Sequence, residues 1–224
     1  MKMFALTIMA MMIMVLLTDS TAFAEIINFD EAKSGQIPEG WVASVTGNGA
    51  PKWAVEADAT APSKPNVLTQ SGEGTFPRLV KKDISLTNGL VEMKFKPIAG
   101  KKDQAAGIVW RFRDANNYYV VRANALENNV VLYKVENGKR TSLDIKGRKG
   151  GYGVEATVPS GQWSTLRVTF SGPLFAVFLN DQSLFEVEDS TFSKAGAVGL
   201  WTKADSVTAF DDVRIERSKQ GEER

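Results

Sequence analysis

Two runs in the middle of the chain hold the side chains best suited to chemistry. Trp110-Arg111-Phe112-Arg113 is followed, after a polar corner, by Tyr118-Tyr119-Val120-Val121-Arg122-Ala123-Asn124. Residues two apart on a strand share a face. Alternation therefore puts Trp110 and Phe112 on one side, with Arg111 and Arg113 on the other. In the second run Tyr119, Val121 and Ala123 look inward, and Tyr118, Arg122 and Asn124 look outward. Paired as a hairpin, the runs bring Arg111, Arg113, Tyr118, Arg122 and Asn124 to one outer surface. Further on, Leu200 turns inward while Trp201 and Lys203 turn outward, and Lys94 and Lys96 extend the basic patch. Flat rings pack against the C–H faces of sugars, Arg binds carboxylate or sulfate through two parallel bonds, and Asn both donates and accepts. The set suits a poly- or oligosaccharide, with local positive field favouring an anionic one. A plainer role also fits: basic residues on a wet face keep a strand soluble and block edge pairing, and the tryptophans can serve as packing.

What is missing narrows the chemistry. There is no histidine and no cysteine in 224 residues. That excludes Ser-His-Asp and Cys-His catalysis, His-containing zinc sites and disulfides. Acid–base work would fall to carboxylates, Lys or Tyr, and a metal would be a hard, oxygen-ligated ion such as calcium. The acids nearest the expected surface are Glu127, Asp205 and, as a third option, Asp114; Glu127 and Asp205 are the candidates for a two-carboxylate hydrolase. Each also reads as a turn residue, Glu127 beside Asn128 and Asn129, and Asp205 in the Lys203–Ser206 corner. With 27 basic against 26 acidic groups, near-neutrality argues against nucleic acid as a partner.

Residues 1–24 read as a signal peptide. Lys2 supplies a positive start, Phe4 to Leu17 an apolar run too short to span a bilayer comfortably, and Ala22-Phe23-Ala24 a small-residue cleavage site. The expectation is a periplasmic or secreted protein starting at Glu25, with no membrane anchor after cleavage. Residues 25–216 read as one domain and 217–224 as a charged tail.

Period-two alternation dominates that domain. Val91, Met93 and Phe95 alternate with Glu92, Lys94 and Lys96, and Leu166, Val168 and Phe170 alternate with Arg167 and Thr169. Asn137-Gly138 predicts a type I′ hairpin, and Asn180-Asp181 joins two further runs. About a dozen short strands at this spacing predict an all-β, two-sheet antiparallel sandwich.

Several pieces occur in an order that resembles a known superfamily. Ile27-Asn28-Phe29-Asp30 and Gly35-Gln36-Ile37-Pro38-Glu39-Gly40-Trp41 come first. Ala106 to Phe112, Asp114 to Arg122 and Glu127 to Lys134 follow, and Trp163 and Gly196 to Ile215 close the pattern. The chain resembles concanavalin A-like (laminin-G-like) jelly rolls, in particular bacterial secreted domains grouped with keto-disaccharide hydrolases and glycoside-hydrolase-like proteins. That superfamily hosts both glycan binders and glycan-cleaving enzymes, and its outer sheet face is often a concave groove. The glucanase run of closely spaced acids (E-x-D-x-x-E) is missing. Likeness to calcium-stabilised jelly rolls implies a structural calcium at Asp30, Asp211 and Asp212, where first and last strands would meet. The same aspartates also fit as turn or edge residues.

The function expected is carbohydrate binding, with an anionic polysaccharide as the favoured ligand. The alternatives are a glycoside hydrolase or lyase using the same groove, and a protein-interaction or structural module.

Overall fold

The computed structural model describes residues 23–218. The expected signal peptide therefore lies outside the described residues, apart from Phe23 and Ala24. Those two begin the first strand, and Phe23 pairs with Arg217, so the strands run slightly past both expected domain limits.

Sixteen strands are present among the described residues, and they form two antiparallel sheets. The first sheet contains β1 (Phe23–Ile27), β3 (Trp53–Ala57), β4 (Asn66–Gln70), β6 (Gly89–Ala99), β12 (Ser164–Ser171), β13 (Leu174–Leu179), β14 (Gln182–Glu188) and β16 (Val207–Arg217). Its order is β14-β13-β12-β6-β16-β4-β3, with β1 on β16. The second contains β2 (Trp41–Ala50), β5 (Glu73–Leu86), β7 (Ala105–Asp114), β8 (Asn117–Asn124), β9 (Asn129–Glu136), β10 (Lys139–Ser142), β11 (Val154–Glu155) and β15 (Gly196–Trp201). Its order is β10-β9-β8-β7-β15-β5-β2, with β11 on β9. The fold is an all-β jelly-roll sandwich.

Alternation produces the core where expected. Val91, Met93 and Phe95 of β6, Leu166, Val168 and Phe170 of β12, and Phe175 and Val177 of β13 point at the second sheet. They meet Trp110, Tyr119, Val121, Leu132 and Leu200. Asn137 and Gly138 both hold positive φ, 52° and 79°, as the I′ turn between β9 and β10 requires. Lys94 and Lys96 lie on the outer face of the first sheet, where Lys94 pairs with Asp212 and Lys96 with Asp58. They cannot extend a patch on the second sheet, because β6 belongs to the other layer.

The second sheet departs from simple alternation, since β8 is buried on both faces along almost its whole length. The inner face meets the core. The outer face is closed over by its own large side chains: Tyr118, Tyr133 and Trp201 pack there with Val109, Val120, Val131 and Val135, and half-buried Phe76 and Phe112 lie against them.

Candidate functional site

The site is a row of residues running across the second sheet. Arg78 on β5 pairs with Trp201 on β15, Trp201 with Gly107 on β7, Gly107 with Arg122 on β8, and Arg122 with Val131 on β9. Gly107 is the gap in this row. A Cβ there would lie 3.2 Å from Cε3 of Trp201 and 2.8 Å from the Val121 carbonyl oxygen. Its absence lets the indole lie against β7 at this position. Phe76, two residues before Arg78 and therefore on the same face, stacks on Trp201 with centroids 5.5 Å apart and planes 27° apart.

Three guanidinium groups serve this face. Arg122, with no exposed side-chain surface, donates from both terminal nitrogens to Glu127 at 3.0 Å each, and to Asn129 Oδ1 at 2.6 Å. Arg140 reaches in from β10 and lies over Tyr133 (4.3 Å), Phe76 (4.7 Å) and Trp201 (5.8 Å). Arg78 is fully buried beside the rings of Tyr118 and Phe112, and its Nη1 donates to Thr46 and to the Tyr118 hydroxyl. Several donors on this face are buried without a partner: Arg78 Nε and Nη2, Arg122 Nε, Arg140 Nη1 and Trp201 Nε1. Buried polar groups are nearly always bonded, and five of the nine unpartnered buried side-chain atoms among the described residues lie on this face.

Tyr152 joins this assembly from the glycine-rich loop after β10. Its hydroxyl bonds that of Tyr133, and its ring lies 5.8 Å from the Arg122 guanidinium. Gly153 lets the loop approach, with φ at +62° and no room for a Cβ, which would lie 2.2 Å from the Val130 carbonyl oxygen. Burial pushes the Tyr133 phenol up, so it stays protonated at ordinary pH.

Four of the seven expected binding residues lie at this face, but in a different state. Tyr118, Arg122, Asn124 and Trp201 are completely buried, not open to solvent. Arg and aromatic side chains on a curled sheet cover one another because each is long enough to lie along its neighbours. Asn124 accepts from the Leu126 and Glu127 amides and donates to Asp103 and Glu127. Lys203 forms an ion pair with Asp103 at the end of the row.

Arg111 and Arg113 are corrections. The pairing of β7 with β15 passes from Val109↔Gly199 to Phe112↔Ala197, three steps against two. Arg111 sits in the bulge at φ 47°. One extra residue inverts alternation, so Phe112 turns to the outer face and Arg111 turns in. The Arg111 guanidinium donates to Thr87 O (2.9 Å), Phe192 O (2.8 Å) and Gly172 O (2.6 Å), and lies over core rings Phe170 and Phe175. Arg113 lies over Phe192, on that same side.

The expected acids are also committed. Hydrogen bonds from Arg122 bring the Glu127 carboxyl down to about 2, against the opposing effect of its burial. Asp205 accepts from the amides of Lys101, Lys102 and Asp103, and these outweigh burial to hold it below the usual range. Both are ionised near neutrality and neither can deliver a proton there. Asp30, Asp211 and Asp212 are a further correction. β1 does pair with β16 as expected, but among the described residues no three acids gather into a metal-holding group. Asp30 accepts from Asn66 N, Asp211 from Ser63 N and Asp212 N, and Asp212 from Ser63 Oγ and Lys94.

Arg78, Arg140, Phe76, Tyr133 and Tyr152 were not singled out from the sequence. A signal existed for the first: Arg78 interrupts the apolar run Pro77-Arg78-Leu79-Val80, and Leu79 facing the core forces Arg78 outward.

Solved structures share this architecture. The carbohydrate binding module CBM66 from Bacillus subtilis is 20% identical, covers 78% of this chain and 94% of its own, and superposes with a TM-score of 0.62. The Bacillus licheniformis β-glucanase is 12% identical, covering 90% and 100%, with a TM-score of 0.57. Domain 4 of AbnA, an extracellular arabinanase from Geobacillus stearothermophilus solved with arabinotriose, is 15% identical, covering 86% and 92%, with a TM-score of 0.55. No curated protein matches the sequence. A family model described as the 3-keto-alpha-glucoside-1,2-lyase-like domain matches residues 26–216, and the chain belongs to that family.

Proposed function

We propose that this protein binds a poly- or oligosaccharide on the outer face of its second sheet, where half-buried Phe76 and Arg140 and exposed Tyr152 border the buried row from Arg78 through Trp201 to Arg122. One observation carries the reading. Stacked rings and several buried, unpartnered donors share one face, and a sugar offers both apolar C–H faces and hydroxyl acceptors. CBM66 and the arabinose-oligomer-bound AbnA domain support it as proteins of the same fold. Secretion or export to the periplasm is part of the proposal, on the strength of the charged, apolar and small-residue segments in residues 1–24.

Catalysis is the weaker reading, despite the lyase in the family's description. Glu127 is pinned by Arg122 and Asp205 by three backbone amides, so neither candidate acid is free to cycle a proton. The test is a glycan array probed with the purified protein, followed by affinity electrophoresis of Phe76→Ala and Tyr152→Ala. Retention by one glycan class, weakened in both variants, is the expected result. A blank array with folded protein, or variants retained like the wild type, overturns the assignment. Release of shortened glycan that stops in Glu127→Gln would instead establish an enzyme.

A further inference from the structure

The three guanidinium groups on the face differ in one respect that bears on what the sugar carries. Arg122 is neutralised by Glu127. Among the described residues, neither Arg78 nor Arg140 has a carboxylate within ion-pair distance. Arg78 bonds only the neutral oxygens of Thr46 and Tyr118. Its Nε and Nη2 are both buried and both free, and these two atoms form one complete edge of the guanidinium plane. That edge is the fork that receives a carboxylate through two parallel bonds. Arg140 is held only against rings, with Nη1 buried and free.

A buried, uncompensated cation is unfavourable unless an anion completes it. Arg78, fully buried, and Arg140, half-buried, meet the same pair of stacked rings, since Arg140 lies over both Phe76 and Trp201, and Trp201 is the cross-strand partner of Arg78. Burial pushes the Arg78 guanidinium down from its ordinary value, against the opposing pull of Tyr118 and of the Asp114 carboxylate, which lies outside ion-pair distance.

Resting on the reading that this face binds a saccharide, we infer that the sugar is acidic. Arg78 takes a sugar-ring carboxylate on its free Nε/Nη2 edge, and Arg140 adds a second cation from the rim. Because Arg78 is fully buried, the half-buried Phe112 ring, 5.5 Å from its guanidinium, would have to move to admit the carboxylate.

Matched pairs test this. Oligogalacturonate, oligoalginate and oligoglucuronate, each as free acid and as methyl ester, are titrated calorimetrically beside neutral cello-oligosaccharide and sulfated dextran. The expected result is that one acid binds at least about tenfold tighter than its ester, the scale of one charge-assisted fork. That preference vanishes in Arg78→Gln, weakens in Arg140→Gln and falls with added salt. Equal binding of acid and ester, or binding of neutral sugars alone, overturns the inference and leaves saccharide binding intact. Tighter binding of sulfated dextran than of every uronate overturns the carboxylate assignment. Failure to bind any probe, or any array glycan, removes both readings. Arg78→Gln should keep or raise the thermal midpoint, because it deletes an unpaired buried charge. If it lowers the midpoint sharply, Arg78 is structural and the inference fails unless the more exposed Arg140→Gln still loses the preference.

Discussion

Arg122 and Glu127 face each other as a closed fork, two nitrogens against two oxygens at 3.0 Å, with the arginine wholly buried and the acid about one-third exposed. The pair seals one end of the row and supplies no free charge to it. Glu127→Gln leaves the buried guanidinium without its counter-ion, and a loss of roughly 1–3 kcal/mol is expected in denaturant unfolding. The pH dependence follows from the sign of the shift. The folded carboxyl sits at about 2 against an ordinary 4.5, so its contribution is complete above pH 4.5 and is lost as pH falls towards 2. Acid unfolding followed by fluorescence should show that loss in the wild type and a flatter profile in Glu127→Gln.

Asp211 should behave in the opposite sense. Burial, with added repulsion from Asp212 and Asp30, raises its carboxyl to about 6, overriding the amides of Ser63 and Asp212. The folded state then holds a proton that the unfolded chain releases near pH 4. The associated stability is present below that pH and is lost as pH rises through 6. In Asp211→Asn the decline in thermal midpoint between pH 4 and 6 should shrink. An unchanged slope would place the titration elsewhere.

Arg111 is a clamp holding three carbonyl oxygens at the edge of the core. Arg111→Met orphans those acceptors, and about 3 kcal/mol or more of stability should disappear. Glycan affinity of the remaining folded protein should be unchanged, because the side chain does not reach the outer face. Chemical denaturation paired with calorimetry separates the two effects.

Gly107→Ala places a methyl group against the Val121 carbonyl and the Trp201 indole. Overpacking of this kind costs roughly 1–3 kcal/mol. It should also displace the ring from the row, visible as a shift in tryptophan emission and as weakened glycan retention. Normal retention despite the shifted indole would show that Trp201 is not part of the binding surface.

Much of the sandwich was legible because its signals are local. The β6 and β12 alternation and the Asn137-Gly138 turn depend only on neighbouring residues. Tyr118, Arg122 and Trp201 were placed on the correct side of their strands by the same rule. Arg111 and Arg113 were not, since nothing in Trp110-Arg111-Phe112-Arg113 marks the bulge. The bulge shows only in the pairing with β15, where Gly196 approaches so closely that a Cβ would lie 2.5 Å from the Arg111 carbonyl carbon.

The sequence by itself determined the fold class, the exclusion of histidine and cysteine chemistry, and the face on which several aromatic and basic residues stand. Only the tertiary structure decided which cations remain unpaired. Glu127 reaches Arg122 from five residues away, whereas Arg78 meets Trp201 across 123 positions of chain. Such pairings depend on strand order and on side chains crossing a curled sheet, and neither is encoded in the spacing of a single strand.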